Sequence, residues 1–143
     1  MSCFDHEKLD VYKAAIKLIV LLDKIIEHLP RGKSYLADQL QRAGSSVPLN
    51  IAEGTGEYSS SEKARFYRMA KRSATECAGI LDVCRSLQLI EEQQYTEVRQ
   101  LLLRIVSMLI KMAHNSNNSG TGTHTGTGTG TIEWTPKITK KLS

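Results

Sequence analysis

SSVPLNIAEGTGEYSSSEKARFYRMAKRSATE, residues 45–76, decides the fold. Its second half starts a helix. Ser59 and Glu62 stand at capping-box spacing, Ser-x-x-Glu, ahead of an apolar-periodic run. From there to about Leu87, the residues Ala64, Tyr67, Ala70, Ala74, Cys77, Leu81 and Cys84 recur at steps of three and four, which marks one buried helical face. Most of them are small, so a neighbouring helix can approach closely. The first half ends the helix before it. Tyr35, Leu36, Leu40, Ala43 and Val47 keep helical period, with Ser34 predicted as the N-cap. Pro48 removes a backbone donor and predicts a kink, after which Leu49, Ile51 and Ala52 resume the apolar face. Gly54 and Gly56 read as C-terminal punctuation.

Two more helices lie outside this pair. Leu9, Tyr12, Ile16, Ile19, Val20, Leu22, Ile26 and Leu29 predict a helix from about residue 7–10 to 29, stopped by Pro30 and Gly32. Val98, Leu101, Leu102, Ile105, Leu109 and Met112 predict another over 91–114, with Lys111 and His114 complementing the dipole at its end. Four helices with short connections predict an all-α, antiparallel up-down-up-down four-helix bundle over residues 1–115. The composition then changes. Residues 115–119 read as a polar linker, and Gly120–Thr131 is a Gly-Thr alternation broken once by His124. Residues 116–143 are therefore expected to form a flexible tail. Its basic end carries Ile132, Trp134, Ile138 and Leu142. That end suits docking on a partner or a neighbouring subunit, a disordered terminus, or a shifted reading frame.

The chain has 143 residues, 41% hydrophobic and 24% charged, in the range of ordinary globular proteins. Net charge is +4, which is compatible with a polyanionic partner without requiring one. The three cysteines, Cys3, Cys77 and Cys84, are an odd number and fit a reducing cytoplasm. Cys77 and Cys84 lie two turns apart on one helical face and read as buried small hydrophobes. The longest apolar run, Leu18–Leu22, is too short for a membrane span. The opening MSCFDHEKLD lacks the pattern of a signal peptide.

Catalytic signatures are missing from the sequence. It contains no phosphate loop, no GxSxG, no HExxH, no EF-hand loop and no Glu-x-x-His pair for a di-iron site. A non-enzymatic protein with no cofactor and no metal is expected. The charged residues of the central stretch are the better functional candidates. Arg65, Arg68 and Arg72 share one helical side, Lys71 adjoins Arg72, and Lys63 lies toward the helix start, with no acid from Lys63 to Arg72. Such a stripe can neutralise phosphates in a salt-sensitive, sequence-tolerant way, or it can be a solvated helix face. Glu53 and Glu76 read as members of an ion pair or cap ordering the junction of the second and third helices, with Arg42 as one partner, or as ligand-binding groups.

Arg42, Ala43, Ser46, Asn50, Ile51, Ala52, Glu53 and Gly54, then Ser59, Glu62, Arg65, Phe66, Ala70, Ser73 and Glu76, together resemble the signature of the four-helix-bundle proteins encoded in intervening sequences of bacterial 23S rRNA genes. Phe4, Leu9, Val11 and Tyr12 fit the usual opening. The likeness covers about residues 4–114. Val47 replaces the usual Ile, Tyr67 the usual Leu and Arg72 the usual Gly, adding charge at the last position. That family is similar in fold to the accessory variability determinant of diversity-generating retroelements. The resemblance implies a ring-shaped homo-oligomer, commonly a pentamer, acting beside RNA or DNA or as the partner of a reverse transcriptase. The alternative is a structural protein-interaction module with no direct nucleic-acid role. It also implies junction roles for Arg42, Asn50, Glu53, Gly54, Ser59, Glu62 and Glu76.

Overall fold

The computed structural model describes residues 2–120; the Gly-Thr alternation from residue 121 and the Trp134 end lie outside the described residues. Four helices account for most of it: α1, Asp10–Glu27; α2, Ser34–Thr55; α3, Ser60–Ser86; and α4, Glu92–Gly120. Single 3₁₀ turns cover Asp5–Lys8 and Arg31–Lys33. No strand occurs among the described residues. Each helix packs on two others, α1 and α3 both lying against α2 and α4. Contacts fix the direction of the central pair. Ser46 meets Ser73 and Gly54 lies against Phe66, so α2 and α3 run antiparallel.

The apolar face predicted for α3 is buried in full, from Ala64 to Cys84. Opposite it lie Leu40, Val47 and Ile51 of α2, with Val98, Leu102, Ile105 and Leu109 of α4. Each large aliphatic side chain removed from water contributes about 1.5–3 kcal/mol, so this core supplies the main drive for folding. Burial raises the pKa of both core thiols, that of Cys77 to about 12 with help from the Glu76 charge beside it.

Several local expectations give way. The stripe of α1 is rotated. Its core face is Val11, Ala14, Ala15, Leu18, Leu22 and Ile25, while Ile16 and Val20 are 42% and 51% exposed. Leu18–Leu22 is apolar on every side, so the phase is set by the two alanines, which let α1 settle closer. Ser34 is the first helical residue of α2, not its cap; the cap position is Lys33, the last residue of the 3₁₀ turn. Pro48, by contrast, lies inside α2, which continues through it as the resumed apolar face predicts. Gly54 is likewise internal, and only Gly56 stands at the C-cap. Helix α4 runs six residues past His114, because nothing from Asn115 to Ser119 breaks a helix; Lys111 and His114 are therefore not in its last turn. Asn118 Nδ2 lies 2.9 Å from His114 Nε2 across one turn of this extension.

Candidate nucleic-acid interface

Everything of interest converges on the seam between α2 and α3 and on the outer side of α3. Ser59 opens α3 by accepting a hydrogen bond from the Glu62 amide at 3.4 Å. The capping box closes only by half, since the Glu62 carboxylate turns the other way. Its Oε2 accepts from Arg65 Nε at 3.0 Å and lies 2.9 Å from Arg65 Nη2. Arg65 is held further by Nη1 at 3.5 Å from the Met69 sulfur and by its Cζ, 4.7 Å above the centre of the Phe66 ring.

Lys63 leaves the stripe altogether. Its ammonium donates to the carbonyl oxygens of Thr55 at 2.7 Å and Gly54 at 3.3 Å. These belong to the last turn of α2, where the helix leaves acceptors unpaired and the dipole favours a cation. Lys63 is therefore the cap that sequence spacing assigned to the phosphate face. Lys71 also departs from it. The side chain is half-buried, and desolvation lowers its pKa.

Arg68 and Arg72 remain. Both are exposed, one turn apart, and among the described residues neither makes a hydrogen bond or ion pair. Across the seam Arg42 is exposed as well. It lines a shallow groove with Gln39, Ala43, Ser46, Ser73 and Glu76.

The floor of this groove is a hydrogen-bond chain that sequence reading did not anticipate. Asn50, the one buried polar side chain among the described residues, donates through Nδ2 to Ser46 Oγ at 2.9 Å and to the Ser46 carbonyl at 2.9 Å. Ser46 Oγ and Ser73 Oγ lie 2.9 Å apart, and Ser73 Oγ reaches the Met69 carbonyl at 3.1 Å. Each hydroxyl has one proton. Asn50 donates to Ser46 Oγ, and the single proton of Ser73 is shared between two acceptors, Ser46 Oγ across the seam and the Met69 carbonyl one turn back. The chain clasps α2 to α3. The signal was in the sequence, as Ser46 and Asn50 one turn apart on α2 with Ser73 on the facing helix, but only the register shows that they meet.

Gly54 belongs to the same packing. A Cβ there would lie 2.9 Å from both Phe66 Cβ and Tyr67 Cε1, so only glycine admits α3 this close. Glu53 does not form the expected ion pair. It is exposed, and among the described residues it has no ionic partner. Two basic residues at the start of α3 are committed elsewhere, Lys63 to carbonyl groups and Arg65 to a carboxylate three residues away. Glu76 and Arg42 line one groove without an ion pair among the described residues. Among those residues no three of His, Cys, Asp or Glu lie close enough together to hold a metal ion, and no helix is long and apolar enough to cross a membrane.

A sequence model of the 23S rRNA-intervening sequence protein family matches residues 7–111. No curated protein matches the chain.

Proposed function

The chain belongs to the 23S rRNA-intervening sequence protein family, and from that premise we propose that it is a non-catalytic, nucleic-acid-binding accessory protein of the cytoplasm. The observation that carries this reading is the pair Arg68 and Arg72, exposed, one turn apart and without a hydrogen-bond or ionic partner among the described residues. An unpaired guanidinium matches the geometry of a phosphate and holds its charge at any physiological pH. Two such contacts per protomer give weak binding. Repetition around a homo-oligomeric ring, a pentamer on the family likeness, multiplies them by avidity. Arg42, on the adjoining helix, extends the same field.

The test is a salt titration of binding to structured RNA and to duplex DNA, with light scattering on the same sample. Affinity should fall with salt at a slope of about −0.7 to −0.9 per phosphate neutralised. R68E/R72E, folded by circular dichroism, should lose most of it. Unchanged affinity in that variant would sink the reading.

A second reading draws on the exposed apolar ridge of α1, Ile16 and Val20. Such a ridge suits a protein-interaction module whose ring presents a surface to another subunit or to a protein partner such as a reverse transcriptase. A ring with no affinity for either nucleic acid, together with capture of a purified reverse transcriptase, would favour it.

A further inference from the structure

We infer that α1 is a strap that swings off as a unit and leaves α2, α3 and α4 standing as a three-helix body. The directional bonds of the bundle are unevenly placed. Helices α2 and α3 are joined by Ser73 to Ser46, by the Lys63 ammonium on the Gly54 and Thr55 carbonyls, and by the Thr55 and Tyr67 hydroxyls, 3.4 Å apart. Helices α3 and α4 are joined by Arg85, whose Nε and Nη2 donate to the Glu92 carboxylate at 2.8 and 3.1 Å, and by the Tyr95 hydroxyl, which donates to Asp82 Oδ1 at 2.6 Å. Arg85 also lies over the Tyr95 ring, 4.5 Å from its centre. Among the described residues no side-chain hydrogen bond or ion pair ties α1 to another helix. The contact of His28 Nδ1 with the Lys24 carbonyl, 2.7 Å, stays within the end of α1 itself.

Apolar contact alone therefore holds α1, and α1 has less of it. It is the shortest of the four helices, 18 residues against 22, 27 and 29. Four large side chains hold it, Val11, Leu18, Leu22 and Ile25, against seven from Tyr95 to Leu109 of α4. It also lies against α2 and α4 more lightly than α3 does. The chain on either side is free to give, since the 3₁₀ turns Asp5–Lys8 and Arg31–Lys33 bury no residue. A segment with few buried apolar groups and no pinning bonds opens at a free energy below that of global unfolding. The opening has a defined effect on the core. Gly44 lies against Leu22 and Ser46 against Ser73, which sets the fully buried Cys77 of α3 level with Leu22 and Ile25 of α1. With α1 away, Cys77 meets water together with Leu40, Val47 and Ile51 of α2, while the bonds from α2 to α3 and from α3 to α4 stay closed.

The experiment is native-state hydrogen exchange of the full-length protein, read by mass spectrometry at urea concentrations below the unfolding transition. Alkylation of Cys77 by iodoacetamide is followed on the same samples. Amides of α1 should exchange about ten-fold or more faster than the slowest amides of α3, with a urea slope about half that of global unfolding, because only part of the core is exposed. Cys77 alkylation should share that shallow slope, while interior amides of α3 and α4 follow the global one. Tyr95→Phe cuts a bond that stays closed in the opening, so it should leave α1 exchange and Cys77 alkylation at their wild-type rates. If α1 amides exchange only along the global slope, the strap is overturned. It is overturned equally if α1 exchanges on a shallow slope while Cys77 labels only with global unfolding, since α1 then frays without leaving the core, or if Tyr95→Phe speeds both readouts.

Discussion

The ammonium of Lys63 on α3 sits 2.7 Å from the carbonyl oxygen of Thr55, closing the end of the helix that precedes its own. A cation at that place satisfies an acceptor and opposes the negative end of the α2 dipole. Lys63→Met should cost about 1 kcal/mol in urea denaturation and leave nucleic-acid affinity unchanged. A loss of affinity with stability intact would return Lys63 to the binding face.

The clasp should behave as one unit. Ser73→Ala removes the donor that reaches Ser46 Oγ across the seam, and Ser46→Ala takes from Asn50 its side-chain acceptor and leaves it only the Ser46 carbonyl, so each should destabilise by about 1 kcal/mol. The double variant should cost clearly less than the sum, because the second substitution removes a partner already lost. Additive losses in chemical denaturation would show that the hydroxyls act independently.

At Gly54 the expectation is steric. Gly54→Ala drives a methyl to within 2.9 Å of the Cβ of Phe66, an atom that moves only with the α3 backbone. Overpacking of this kind costs about 1–3 kcal/mol. Thermal melts of Gly54→Ala beside Gly32→Ala, where the added methyl meets nothing within 4 Å, separate the clash from any general effect of glycine replacement.

Gln88 offers a gain. It follows the α3 C-cap at φ 58°, with its amide bonded to the Arg85 carbonyl and the Leu89 amide to the Cys84 carbonyl. This is a Schellman closure with glutamine at the position glycine usually fills. Gln88→Gly relieves the left-handed strain and should stabilise by up to about 1 kcal/mol. An unchanged or lowered melting temperature would contradict this.

The buried thiols set an alkaline limit. Cys77 ionises at about 12 when folded, against 9.0 for a free thiol. The unfolded chain therefore releases a proton from this group in a window where the folded chain does not. Below pH 9 the group is neutral in both states and makes no difference; from pH 9 to 12 unfolding is increasingly favoured. Urea midpoints measured from pH 7 to 11 should decline above pH 9, and Cys77→Ala should flatten the part of the decline due to this thiol.

The four helices were legible because their inner faces repeat at helical period, and on α3 every residue read as buried is buried. The phase of α1 was not, since Leu18–Leu22 is apolar around the whole helix and the deciding residues, Ala14 and Ala15, carry little hydrophobic signal. Of the site, the arginines of α3 were legible as a stripe. Their division of labour was not. Whether Lys63 faces solvent depends on where α2 ends beside it, and whether Arg65 is free depends on Glu62 preferring it to the Ser59 amide. Those choices are tertiary and leave no mark on residue spacing.

The chain Asn50–Ser46–Ser73 has one more consequence. Apolar side chains alone let two helices slide by a turn with little penalty, whereas directional bonds between α2 and α3 work only at a single offset. The recognisable pattern of this chain is thus largely a ruler that sets how α2 lies on α3. Substitution at the exposed positions 65, 68 and 72 leaves that ruler untouched, so the chemistry of this surface can be altered without altering how the two helices are set against each other.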